Sequence, residues 1–410
     1  MTYFKNVELA NRYSVSESTV RNWVKMTNEG KLELTLVHHE GHSYVAKSTS
    51  NIPIIKRLVG ENRKYRNTRS TKTITPRPEF YKIFTETQIY DIIRSLELHH
   101  EIPRQYNYFS KGADMWDEYT QQLLKQSQPN LLTGTIKILG ENQEYLDRRL
   151  AKYRHVNVVD IGVGNVLPAK GLLTHLHRQG TLIGYNAVDV SPRMLEIAER
   201  NIKEWFGDKI PFTGYQRDIQ FERFAEIVAN SYLRGKTEDS INLFLLLGAT
   251  PCNFKEPDDA FRVIRESMNP NDLILYTDKL EKRDMKPEWF NFDYEAEQKE
   301  LVLTPRHRLV FELLNIHDSF YDVEVSLDQK EQYRYVRARL KVALSLKLSH
   351  NGIGRLLEFE KGDTIQLWRS WQVTAKDIVD QFDRTGFYVL HSSQTEDHEY
   401  ILTIADVKRG

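Results

Sequence analysis

Apolar and polar positions change their period several times along the chain, and the changes divide it. Val7, Leu9 and Ala10, then Val15, Val20 and Trp23, recur at helical spacing over residues 3–24 and predict two short helices. Ser16, with Glu17 behind it, suits the start of the second helix. Leu32 to Val37 then alternates as a strand does, Gly41 marks a turn, and Ser43 to Ala46 returns, which predicts a hairpin. The next stretch breaks this pattern. Lys56, Arg57, Arg63, Lys64, Arg66, Arg69, Lys72 and Arg77 face the single acid Glu61, and Asn67 to Pro76 is rich in Thr and Ser. Residues 56–77 read as a basic linker between a module over 1–55 and a larger domain over 78–410.

Within the larger domain, buried-looking strands alternate with helices. The apolar strand from Val156 runs into Asp160-Ile161-Gly162-Val163-Gly164-Asn165, and a helix follows over Ala169 to Arg178. The glycines permit a tight turn and close approach of backbone N–H groups to a ligand. A second strand, Leu182 to Val190, ends in Val188-Asp189-Val190-Ser191-Pro192 and feeds a helix from Pro192 to Phe206. A third, Phe212 to Ile219, contains Asp218, and a fourth, Ile241 to Leu247, ends at Gly248. This alternation predicts an α/β, Rossmann-like sheet whose ligand lies at the C-terminal ends of the strands. Asp160, Gly162, Gly164, Asp189, Ser191, Asp218, Ile219 and Gly248 all fall there and are the candidate cofactor residues. Asp189 suits a pair of ribose hydroxyls and Asp218 an adenine amino group. An NAD site, or a sheet whose strand-end acids are merely solvated, is the competing reading; against NAD, the loop lacks the third glycine of the dinucleotide fingerprint.

Asp-x-Gly-x-Gly followed by Val-Asp-x-Ser resembles the class I S-adenosylmethionine-dependent methyltransferases. Leu247-Gly248-Ala249-Thr250-Pro251-Cys252-Asn253-Phe254 narrows the likeness to the histidine-specific family, which includes the histidine Nα-methyltransferase of ergothioneine biosynthesis. Ile102 to Tyr108 with Gly112 to Trp116 resembles that family's N-terminal substrate-covering segment. Phe320 to Leu327 resembles the sheet of its inserted lobe, and Gly362 to Gln372 its late acceptor-binding strand. The likeness spans roughly residues 80–410. It implies an α+β substrate lobe inserted at roughly 285–375, with Asn253, Ser370 and Tyr106 or Tyr108 at the acceptor. Trp368 stands where histidine-selective members carry a glutamate, and Asn130-Leu131-Leu132-Thr133 stands where paired tyrosines are expected. Histidine is therefore a poor expectation; a bulkier, flatter or less polar amine fits better. Trp368 as plain core packing is the competing reading. Transfer from a sulfonium needs little acid–base help, so no catalytic base is assigned. Asn253 or a tyrosine could take the amine's departing proton through water.

The early helix–turn–helix–hairpin pattern resembles a winged helix-turn-helix of the MerR or excisionase type. That likeness rests on Val7-Glu8-Leu9-Ala10 and on Val15 to Trp23. It implies duplex DNA as a partner, with Ser16, Ser18, Thr19, Arg21 and Asn22 at the start of a recognition helix. A protein-binding or dimer-forming knob suits the same pattern, so a second copy of the chain is also a candidate partner. The competing functional expectation is a transcriptional regulator whose methyltransferase-like domain senses the cofactor or a metabolite.

Composition adds bounds. Lys+Arg and Asp+Glu number 57 each, so no global field draws the protein to nucleic acid or membrane, and any attraction is local. One cysteine, Cys252, excludes an internal disulfide and a cysteine-based metal site. No apolar run reaches the length of a membrane span, and Met1 to Asn6 has no signal-peptide core, so a cytoplasmic location is expected.

Overall fold

The computed structural model describes residues 2–13, 15–233, 239–248, 250–280, 303–328, 330–350 and 353–408. They divide into two compact units. The first comprises Met1–Thr73 with Val342–Leu346 and Leu356–Gly362; the second takes the rest.

In the first unit, helices Asn6–Tyr13 and Glu17–Asn28 are followed by a hairpin of Leu36–His39 and His42–Val45. Ser16 caps the second helix, its hydroxyl accepting from the Thr19 N–H at 3.2 Å. Glu40 and Gly41 both take positive φ, 49° and 77°, the turn that matches strand twist in a two-residue hairpin. Leu9, Ala10, Val20, Trp23 and Val24 pack with Phe4, Leu34, Val45, Ile55, Leu58 and Val59. Val7, expected on the inner face, is 51% exposed, whereas Phe4 is buried in this core.

The linker expectation for 56–77 is corrected: helix Asn51–Ser70 runs through most of it, and Lys72–Ile74 is a strand. Asn51 explains the start. Its side chain accepts from the Thr35 N–H and donates to the Thr35 and Ala46 carbonyls, tying the helix to the hairpin. Lys and Arg are good helix formers, so a basic stretch that buries Leu58 and Val59 need not be a linker.

The second unit holds a seven-stranded sheet. In chain order its strands are β1 His155–Ile161, β2 Leu182–Asp189, β3 Phe212–Gln216, β4 Ser240–Leu246, β5 Leu273–Lys279, β6 Phe387–Gln394 and β7 Tyr400–Val407. Their spatial order is 3-2-1-4-5-7-6, with β7 antiparallel to β5 and to β6 and the rest parallel. Strand alternation builds a core on each face. Ile241, Leu243 and Leu245 of β4 join one cluster with Leu172, Leu173 and Ile202; Phe244 and Leu246 join the other with Phe261, Ile264 and Phe382. Helices Lys170–Arg178 and Pro192–Phe206 cover the first face, and Pro257–Ser267 and Ala375–Arg384 the second.

Between β5 and β6 the chain departs from the sheet. Helix Pro305–Leu313 is followed by strands Tyr321–Asp328, Tyr333–Leu340 and Thr364–Trp371, paired in the order Thr364–Trp371, Tyr333–Leu340, Tyr321–Asp328. The start of the expected insertion, residues 285–302, lies outside the described residues. Among the described residues no helix is long and apolar enough to cross a membrane.

Candidate active site

A cavity of about 480 Å³ in the second unit opens at the C-terminal ends of β1 to β5. Asp160, Gly162, Gly164, Asp189, Asp218, Ile219 and Gly248 line it, as do Tyr108, Asn253, Trp368 and Ser370. Two expected residues do not. Tyr106 is buried against Phe84 and Phe109 and donates its hydroxyl to Asp91 at 2.8 Å. Ser191 is fully buried; its hydroxyl accepts from the Met194 N–H at 3.2 Å and donates to the Tyr108 carbonyl at 2.7 Å. Ser191 thus caps helix Pro192–Phe206 and fastens the covering segment instead of facing a ligand.

The strand-tip carboxylates share one physical character. Burial raises Asp160 to about 7; the Tyr185 hydroxyl, 2.5 Å away, opposes this and the charge of Asp189 adds to it. Burial likewise raises Asp189 to about 6, against N–H bonds from Ser191, Gly164 and Val190. Asp218 is raised by burial too, with the Gln220 N–H 3.0 Å from it in opposition. Gathering such acids costs stability, so a cationic or hydroxyl-rich ligand gains by meeting them.

The loop after β1 is shaped for close approach. Gly162 and Gly164 have φ of 62° and 53°, and a Cβ on Gly162 would stand 3.1 Å from the Thr250 side chain. Val166 also holds a positive φ, 66°, which a β-branched residue adopts only under constraint. Its neighbour Asn165 supplies that constraint. The Asn165 amide donates to Asp117 at 2.8 Å and to the Thr120 hydroxyl at 2.5 Å, while Asn201 donates to the Asn165 carbonyl.

Asp117 and Thr120 belong to helix Lys111–Leu123, which follows the covering segment Arg104–Tyr108. The segment and this helix are tied to the strand tips and to helix Pro192–Phe206 at several points. Gln105 donates to Asp218 at 3.4 Å, the Tyr108 carbonyl meets Ser191, and Asp114 pairs with Arg193 at 2.8 Å.

The far wall is aromatic and cationic. The indole N–H of Trp368 donates to Asn253 Oδ1 at 2.8 Å, and Arg104 Nη1 donates to the same oxygen at 3.1 Å. Arg104 Nε donates to the Tyr108 hydroxyl at 2.6 Å. The guanidiniums of Arg104 and Arg334 sit 5.4 and 5.7 Å from the Trp368 ring. Arg334 also reaches Ser370 at 3.4 Å, and the Cys252 sulfur lies 3.7 Å from the Ser370 oxygen. A register shift beside Trp368, where Val336 faces Trp368 but Arg337 faces Gln366, re-aims the strand at this wall.

Arg104, Asn165, Asp278 and Arg334 line the cavity and were not picked out from sequence. Asp278 had the same signal as its fellows, an acid ending an apolar strand. Arg104 stood inside a quoted motif and carried no spacing signal of its own.

Sheet order 3-2-1-4-5-7-6 with an antiparallel seventh strand, and strand-tip acids around a glycine cradle, define a class I S-adenosylmethionine-dependent methyltransferase. Residues 88–407 match the family model described as "Histidine-specific methyltransferase, SAM-dependent", and the chain belongs to that family. Residues 1–87 lie outside the match. No curated protein matches the chain. Among solved structures, a methyltransferase from Clostridium acetobutylicum is 10% identical with TM-score 0.35, covering 73% of this chain and 98% of its own. The CcbJ methyltransferase from Streptomyces caelestis is 13% identical with TM-score 0.35, over 72% and 96%. A 1,6-didemethyltoxoflavin-N1-methyltransferase from Burkholderia thailandensis is 9% identical with TM-score 0.36, over 80% and 92%. These likenesses are too slight to bear on the acceptor. The chain is an enzyme that uses S-adenosylmethionine to methylate a small amine or amino-acid-like acceptor.

Proposed function

We propose that the acceptor is a small-molecule amine methylated on nitrogen, and that histidine is not the preferred one. The observation that carries this is Trp368, which lines the cavity and spends its indole N–H on Asn253. An indole offers no acceptor for an imidazole N–H, so the side chain that would hold histidine is missing from that position. Purified enzyme with labelled cofactor tests this. Histidine should turn over far more slowly than the best acceptor in a cell metabolite extract; efficient histidine trimethylation would refute the reading.

The cofactor fits the strand tips. Asp189 would accept the ribose hydroxyls, Asp218 with Ile219 would receive the adenine, and Asp160 would meet a cationic group at the glycine cradle. When bound, S-adenosylmethionine supplies a methyl group already activated on a sulfonium. The protein's part is to hold a neutral amine in line with it. Asn253 is a poor stop for the departing proton, because its oxygen already receives two donors. The Tyr108 hydroxyl accepts from Arg104 and is an oriented donor at the same wall.

The first unit is proposed to bind duplex DNA and so tether or regulate the enzyme. Ser18, Arg21, Asn22 and Lys25 form the exposed face of helix Glu17–Asn28, opposite buried Val20, Trp23 and Val24. Ser16 and Thr19 are engaged in the cap, their hydroxyls 2.8 Å apart, and leave the reading to this exposed face. Arg21 pairs with Glu17 at 2.8 Å and must exchange that partner for a phosphate. Titration of the full chain with duplex DNA at two salt concentrations tests this. Affinity should fall steeply with salt; no binding at low salt leaves an interaction or dimerisation element.

A further inference from the structure

An amine attacks through its lone pair, and an alkylamine in neutral water has given that pair to a proton. The wall around Trp368 repels such a proton. Among the described residues, Arg104 meets only neutral groups: the Tyr108 hydroxyl, the Asn253 amide oxygen and the rings of Tyr108 and Trp368. It forms no ion pair with a carboxylate among them. A guanidinium is a permanent cation, and this one lines the cavity half-buried, where water screens it less than at a surface. Two hydrogen bonds hold it there, Nε to Tyr108 at 2.6 Å and Nη1 to Asn253 at 3.1 Å.

The charged groups packed around the covering segment leave that cation standing. On helix Pro305–Leu313, Glu312 pairs with Lys111 at 2.8 Å and with Arg308 at 2.9 Å, and His307 turns Nδ1 to the Thr304 hydroxyl at 2.8 Å. On helix Lys111–Leu123, Asp114 pairs with Arg193 and Asp117 with Arg200. Glu101 pairs with Arg369, and Asp91 accepts from the Tyr106 hydroxyl. Asp218 accepts from Gln105 and stands with Asp160 and Asp189 at the tips of β1 to β3. Asp278 already receives the Tyr276 hydroxyl and the Lys279 N–H. Arg334 and Lys279 add further cations to the lining.

Resting on the reading of the site as a methyltransferase for a small amine, we propose that Arg104 keeps the acceptor nitrogen unprotonated. A cation beside an ammonium disfavours its charged form, the device that activates a lysine next to a second cationic group. The proton goes to water at the cavity mouth. The nitrogen keeps the lone pair that forms the N–C bond, while the electron pair of the breaking C–S bond stays on sulfur. The charge of Arg104 thus does the work for which no base is assigned.

The test uses the full chain and the acceptor that takes label from S-adenosylmethionine in a cell metabolite extract, isolated and titrated in water to give the pKa of its nitrogen. Single-turnover methyl transfer is then followed against pH with acceptor and cofactor saturating. The wild-type rate should fall on the acid side with a midpoint about one pH unit or more below the solution value. In Arg104→Gln the midpoint should rise by about one unit, so that the rate on the acid limb drops roughly tenfold while the alkaline plateau holds. Arg104→Lys keeps the charge and should keep most of the wild-type profile. Cofactor affinity of Arg104→Gln should stay at the wild-type value, which shows that the variant is folded. A wild-type midpoint at the solution value, or an Arg104→Gln loss equal at every pH, overturns the proposal while leaving methyl transfer intact. An acceptor nitrogen already neutral in water at neutral pH overturns it too. No label in any small molecule overturns the underlying reading and this one with it.

Discussion

The two ends of the cavity are built on opposite plans. At the proposed cofactor end Asp160, Asp189 and Asp218 come from successive strand tips, each placed by the local run of strand, turn and helix. They are acids raised by burial. At the proposed acceptor end Arg104, Asn253, Arg334 and Trp368 come from segments far apart in sequence, and the wall is aromatic and cationic. The acid end suits a ligand that brings cationic charge and hydroxyls; the other offers an aromatic face and guanidinium donors. The common part of the reaction is therefore written locally, and the part that distinguishes this enzyme depends on tertiary contact.

The comparison can be broken first at its acid end. Asp160 is raised by burial to about 7, above its unfolded value, so it favours the folded state at low pH and loses that contribution as pH rises through about 7. Asp160→Asn should then stabilise the cofactor-free protein at pH 8 by on the order of a few kcal/mol, yet weaken cofactor binding. Melting curves with and without cofactor check both signs. Gly162→Val is next. A side chain there meets Thr250 and cannot adopt the φ of 62° without strain, so cofactor affinity should fall about a hundredfold.

A smaller effect sharpens the contrast. Asp189 must be ionised to accept two hydroxyls, and its value of about 6 means that a proton competes below that pH. Cofactor affinity should be flat above about 7, begin to weaken as Asp160 takes up a proton, and fall more steeply, by up to a further roughly tenfold per unit, once pH drops below about 6. A profile that strengthens on acidification would contradict the assignment. The smallest effect lies outside both ends. Ser16→Ala removes the cap of helix Glu17–Asn28 and should cost about 1 kcal/mol in the first unit, read by its melting or by hydrogen exchange, with cofactor affinity unchanged.

The same contrast explains what could be read in advance. Strands β1, β2 and β4 and helix Pro192–Phe206 were legible because apolar periodicity, a proline at the first turn and acids at strand ends are local signals. Ser191 misled because a serine before a helix serves the cap whether or not a ligand is near. Tyr106 and Tyr108 are two residues apart and could not be told apart by spacing; only packing against Phe84 and Phe109 sends Tyr106 inward. The basic stretch read as a linker became a helix because Asn51, Ile55, Leu58 and Val59 anchor it to a core built from remote residues. Arg104 was invisible for a like reason, since its meaning comes from Asn253 and Trp368.

Calorimetric titration of S-adenosylmethionine into the wild-type chain and Asp189→Ala tests the central claim most directly. The account predicts saturable one-site binding to the wild type and a roughly ten- to hundredfold weaker affinity in the folded variant, the loss of a charged acceptor for two hydroxyls. Equal affinity in the two proteins, or no binding to the wild type, would contradict it.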